Sequence, residues 1–193
     1  MKKTKPTYKH PEFVLETQDK RIEKENKRLW LSLNIDKSVT ESLLVILKNP
    51  SRATKDISDK TVFTVTNYVH RNRKKYSAFK NIGTVIIVNL IPFYETYADQ
   101  LGTLGVNIID KQNQDTITDL TSKIKNVIIA WGDHPKGLYK EYEQLKLTTF
   151  DTLITNKNNV FYVDKLSKNG NPKHGQVWGY ENELLSFTFD RTK

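Results

Sequence analysis

Four uninterrupted apolar runs dominate what this chain can become: "SLLVIL" at 42–47, "GTVIIVNLIP" at 83–92, "VIIAWG" at 127–132 and "VFYVDKL" at 160–166. A strand with one wet face alternates polar and apolar residues. These runs do not alternate, which is the pattern of strands buried on both faces. Helical segments are expected between them. Ser58 is a plausible N-cap for a helix whose Val62, Val65 and Val69 form an apolar stripe. Further helices are expected from about Tyr94 to Leu101, across "NQDTITDLTSKIKN", and over roughly 137–156. Alternating strands and helices predict an α/β fold: a three-layer α/β/α sandwich around a mostly parallel four-stranded central sheet. "EFVLET" and "KRLWLSLNI" read as short N-terminal strands separated by the charged "QDKRIEKENK", and "ENELLSFTF" as an edge strand. A length of 193 residues suits one domain, expected over 12–193 behind a flexible basic arm at 1–11.

A parallel sheet delivers the loops after its strands to one edge, where open α/β folds bind ligands. Those loops carry Asn49-Pro50-Ser51, Asn89 with Pro92-Phe93, Trp131-Gly132-Asp133-His134, and Asn171-Pro172-Lys173-His174. Asn49 offers a donor and an acceptor that could hold a water or read a base edge, and Asn-Pro is equally an ordinary turn signal. Asn89 interrupts an apolar strand, so its carboxamide must be satisfied by neighbouring backbone or by a ligand. His134 and His174 are loop histidines able to donate, accept or carry a proton; His10 and His70 lie on the arm and the basic helix. Phe63, Phe93, Trp131 and Trp178 lie at or near the edge, where they could stack on a base or simply fill the core.

Composition narrows the chemistry. The absence of cysteine removes disulfides, thiolate metal sites and a cysteine nucleophile. No metal-ligand spacing, P-loop, dinucleotide fingerprint or nucleophile elbow is present, so no metal or cofactor is expected. No run is long enough to span a membrane and the N-terminus lacks the apolar core of a signal peptide, so the expectation is a cytoplasmic protein without a membrane partner. A formal charge of +9 suggests a polyanionic partner, although most of the 31 basic residues are lysine, as an AT-rich genome would also produce. Arg71, Arg73, Lys74 and Lys75 end the first helix, where they suit its dipole or a phosphate backbone.

The spaced motifs "ILKNPSRA…SDKT", "VIIVNL", "IIAWG" and "GNPKH" resemble a bacterial and phage family known only as a domain of unknown function. More distantly, the same four loops resemble the uracil-DNA glycosylase superfamily, whose motif G-[IM]-N-P-G is similar to "LKNPS". That resemblance implies a uracil-DNA glycosylase-like sandwich. It further implies a DNA glycosylase hydrolysing the N-glycosidic bond of uracil or another damaged or modified base. Asn49 would orient water and His174 would stabilise the departing base; both are the catalytic candidates. Phe63 would stack on the base and Asn89 would read its edge, with Pro50 and Ser51 completing the base pocket. Arg52, Arg71, Arg73, Lys74, Lys75 and Lys173 are the candidates for holding single- or double-stranded DNA. Departures from the superfamily pattern are Lys48, Ser51 in place of glycine, and Gly175 in place of proline. The rival readings are a catalytically inactive DNA- or protein-binding module of a mobile element or phage, and an enzyme acting on free nucleosides or nucleotides. A monomer is expected, with a protein partner or inhibitor left open.

Overall fold

The computed structural model describes residues 6–95, 97–103 and 107–189. Nine strands and three α-helices form among them. In chain order these are β1 (Thr7–Tyr8), β2 (Glu16–Ile22), β3 (Lys27–Asn34), β4 (Glu41–Leu47), β5 (Ser58–Asp59) and α1 (Lys60–Asn72). There follow β6 (Ile82–Asn89), α2 (Lys111–Lys123), β7 (Asn126–Ile129), α3 (Tyr139–Thr155), β8 (Asn159–Val163) and β9 (Leu184–Ser186).

Seven strands make one mixed sheet in the order β2-β3-β6-β4-β7-β8-β9. The sheet is therefore wider than the four strands expected. Its four inner strands β6, β4, β7 and β8 run parallel, whereas β2, β3 and β9 join by antiparallel pairing. β4 is buried on both faces: Leu43, Val45 and Leu47 enter one cluster, Leu44 and Ile46 the other. Val62, Val65, Tyr68 and Val69 of α1 pack in the first cluster with Trp178. Ile117 of α2 and Tyr142, Leu145 and Leu153 of α3 pack in the second with Trp131. Helices thus cover both faces, as continuous apolar strands require.

Three expectations need correcting. The charged "QDKRI", read as a separator, is most of β2 itself; an edge strand tolerates charged side chains because half its positions face water. Asp59, rather than Ser58, caps α1, its Oδ1 accepting from Val62 N at 2.9 Å. The helix expected at Tyr94–Leu101 is a 3-10 turn at Ala98–Thr103. Tyr94 N bonds Asn26 O and Glu95 N bonds Pro50 O, both at 3.0 Å, which holds that segment extended against β3 and the loop after β4. The N-terminal arm is tied down over its described part: β1 pairs with β5, and His10 Nε2 meets Thr54 O at 3.0 Å. Residues 1–5 of the expected arm lie outside the described residues.

Candidate functional site

β4 is the strand at which the parallel block reverses its winding, with β6 on one side and β7 on the other. A crevice opens beyond the carboxyl end of such a strand because the two flanking connections leave in opposite directions. Here it is a cavity of about 370 Å³. Leu47 lines it from the end of β4, and Lys48, Asn49, Ser51 and Arg52 from the loop that follows. Asp59, Lys60, Thr61 and Val62 line it from the start of α1, and His174, Gln176 and Val177 from the loop after β8. Arg28, Glu95 and Pro6 complete the wall.

The Asn49 carboxamide spends both hydrogens on backbone, donating to Pro50 O at 2.9 Å and to Glu95 O at 2.7 Å. It therefore staples the loop after β4 to the segment after β6, leaving its oxygen as the group with which it can hold a water. Pro50 is buried behind this staple rather than on the cavity wall, whereas Ser51 lines it. Asn89 is fully buried. Its amide donates to Asn49 O and accepts from Arg28 Nη2, each at 3.3 Å. Asn89 thus supports the cavity from behind and does not line it.

Arg28 is the residue that sequence reasoning missed. It is 1% exposed, yet it makes no ion pair among the described residues. Nη1 donates to Ala53 O at 2.8 Å, and the ring of Tyr94 lies 6.0 Å from the guanidinium. Nε makes no well-aligned hydrogen bond, and the buried hydroxyl of Tyr94 lies close to the guanidinium. Burial pulls the Arg28 pKa down, against attraction from Tyr94, Asp59 and Asp19. A buried cation without a paired anion costs several kcal/mol, on the order of the penalty for breaking a buried ion pair. One signal was available: an arginine at the head of an apolar strand, a polar interruption of the same kind as Asn89.

His174 is held by two packed loops. Gly132 N donates to Pro172 O at 2.9 Å, and Gly132 adopts φ +69, where a Cβ would also press on His174 Cβ at 3.2 Å. Asp133 accepts from Ser167 Oγ and Asn171 Nδ2, both at 2.7 Å, and buried Lys146 donates to Asn171 Oδ1 at 2.7 Å. Burial opposes charge on Asp133, but bonds from Ser167, Asn171 and Asn169, with attraction from Lys48, hold its pKa below the usual value. The Nδ1 atom of His174 accepts from Gln176 N at 3.3 Å. That bond places the neutral ring's proton on Nε2, making Nε2 a donor. Gly175 answers the departure from proline. A Cβ there would lie 2.6 Å from Val65 Cγ2, so only glycine lets this loop close on α1.

The other candidates fall elsewhere. Phe63 does not line the cavity; its ring meets Tyr8 of the arm at 5.6 Å. Phe93, Trp131 and Trp178 are core side chains. His134 is exposed against Tyr139, and His70 stacks on Phe13 at 3.7 Å. Of the expected DNA contacts, Arg52 lines the cavity. Arg71, Arg73, Lys74 and Lys75 sit at the opposite end of α1, roughly 20 Å away for a 13-residue helix. There Arg71 stacks on Tyr180 at 4.4 Å and Arg73 pairs with Asp36 at 2.7 Å. Lys173 pairs with Asp164. Among the described residues no cluster of histidine and carboxylate could hold a metal, and no helix is long and apolar enough to cross a membrane.

Residues 27–175 match the family described as Protein of unknown function (DUF1643). That span runs from the start of β3 to the loop after β8 and takes in all of the cavity wall except Pro6, Gln176 and Val177. No curated protein and no solved structure matches the chain.

Proposed function

The chain belongs to this DUF1643 family, and from that premise we propose a DNA-binding protein of uracil-DNA glycosylase-like fold that hydrolyses the N-glycosidic bond of uracil or another damaged or modified base. The observation that carries the reading is that Asn49 and His174, 125 positions apart in the catalytic pair the resemblance implies, share one cavity at the carboxyl end of β4. The parallel order β6-β4-β7-β8 with helices on both faces supports the same reading. A volume of about 370 Å³ falls within the ordinary range for small-ligand pockets.

In this reading Asn49 Oδ1 orients a water and Glu95, a residue of the same wall, takes its proton. The water oxygen bonds to the anomeric carbon as the carbon–nitrogen bond breaks and its electron pair leaves with the base. His174, protonated on Nε2, donates to the oxygen on which that negative charge develops. Asn89 acts through Arg28 and Asn49 instead of touching the base, and Phe63 has no base to stack on while Tyr8 covers it. Lys48, Arg52 and Lys60 give the rim its positive charge for DNA phosphates.

Release of abasic sites from single- and double-stranded oligonucleotides carrying uracil or modified bases tests the proposal. Cleavage is expected, with a loss of about 10²-fold or more in His174→Ala and a comparable loss in Glu95→Gln. The second reading, an inactive glycosylase-fold module, draws on the Asn49 carboxamide acting as a loop staple. Binding without cleavage across the panel would decide for it.

A further inference from the structure

We propose that the cavity floor is a phosphate subsite formed by Arg28 and the first turn of α1, so that the ligand enters with a phosphate group bound inside the cavity. The inference rests on the nucleotide reading above and deepens it: the site takes a nucleotide through its phosphate, not only through its base. Two independent observations converge. Arg28 is 99% removed from solvent, has no anionic partner in contact among the described residues, and keeps Nε without a well-aligned hydrogen bond while lining the cavity. The 13-residue helix α1 begins at the same cavity, with Lys60 and Thr61 on the wall. Asp59 caps Val62 N, and the other amides of the first turn, with the helix dipole, favour an anion there. A guanidinium offers a planar fork that suits two oxygens of one phosphate.

Of the carboxylates on the wall, Asp59 attracts Arg28 from a distance, and both it and Glu95 are bonded elsewhere. Asp59 is committed to α1: Oδ1 caps Val62 N, and Oδ2 faces Arg52 N at 3.3 Å and Ala53 N at 3.4 Å. Glu95 Oε1 accepts from Tyr97 N at 2.8 Å. Neither reaches Arg28 as an ion pair. Nε of Arg28 makes no well-aligned hydrogen bond, although the Tyr94 hydroxyl lies close to the guanidinium. A phosphate oxygen supplies Nε with a charged acceptor, which a neutral base does not.

Calorimetric titration with inorganic phosphate, against chloride at equal ionic strength, is the direct test. Saturable binding in the millimolar range or tighter is expected. Arg28→Lys, verified as folded by circular dichroism, should weaken it at least tenfold. Lys60→Glu, an exposed position that leaves the fold intact, should weaken it at least fivefold and keeps the test decisive if Arg28 variants do not fold. No saturable phosphate binding beyond chloride, or equal binding in Lys60→Glu, overturns the proposal. Competition by a 5′-deoxynucleotide monophosphate or by an oligonucleotide without terminal phosphates then distinguishes a terminal monoester from a chain phosphodiester. Phosphate binding with no base release would keep this subsite and remove the glycosylase reading; base release with no phosphate binding would do the reverse.

Discussion

At the scale of single residues, the cavity depends on a few side chains with little freedom to change. Gly175 is the clearest. A methyl group there meets Val65 at 2.6 Å and Leu47 at 3.3 Å, and neither the core of α1 nor that of β4 can retreat. Gly175→Ala should destabilise the protein by about 1–3 kcal/mol through overpacking. Because His174 is its neighbour, base release should fall as well; urea denaturation and the abasic-site assay measure the two effects separately. The same scale shows what the sequence could and could not reveal. Asn49 and His174 could be placed at one sheet edge because each lies in a loop after an apolar run, although Asn-Pro is equally a turn signal. Arg28 was not legible, since beside Lys27 in a short strand an arginine looks solvated. Only the tertiary fold, laying the segment after β6 and the loop after β4 across it, removes the water. Phe63 misled in the opposite sense: its helical position was read correctly, but its contact is Tyr8 of the arm.

Elements were legible to different degrees for one reason, the strength of periodic burial. β4, β6, β7 and β8 could be named because residues buried on both faces leave no polar break. β2 could not, because an edge strand of charged residues has the composition of a loop. α1 is fastened at both ends, by Asp59 at the cavity and by Arg73 to Asp36 in the connection between β3 and β4. Hydrogen bonds from Ser38 first, and from Arg73 next, lower the Asp36 pKa to about 2. A carboxyl depressed in the folded state contributes stability above its ordinary value of 3.8, and loses it as pH falls through about 2. Asp36→Asn should therefore lower the urea midpoint at pH 6, and the difference from the parent protein should shrink towards zero as both are titrated to pH 2. A difference of equal size at both pH values would assign the effect to packing instead.

At the scale of the whole molecule, two groups of positive charge stand at opposite ends of α1. One end carries Lys60 with Lys48 and Arg52 at the cavity, and the other carries Arg71 to Lys75. The residues that looked most like a nucleic-acid patch in the sequence thus lie at the end of α1 away from the candidate chemistry. DNA engaged at the cavity should report this division in its salt dependence. Arg52→Ala and Lys60→Ala should each reduce the slope of log affinity against log salt by about one. Lys74→Ala with Lys75→Ala should leave that slope unchanged; the opposite pattern in an anisotropy titration would move the binding face to the far end of α1. The winding of the four inner strands explains why the site's location could be anticipated, whereas the width of the sheet could not. The outer strands join by local antiparallel pairing, which any short polar or mixed segment can do.

The pairing of Thr7–Tyr8 with Ser58–Asp59 has a practical corollary. Pro6 forms part of the rim, so any alteration at that position changes the doorway of the cavity. A purification handle placed there could mask or mimic a ligand. Preparations intended for enzymology would do better to carry their affinity tag at the carboxyl end, or to have the leader cleaved before measurement.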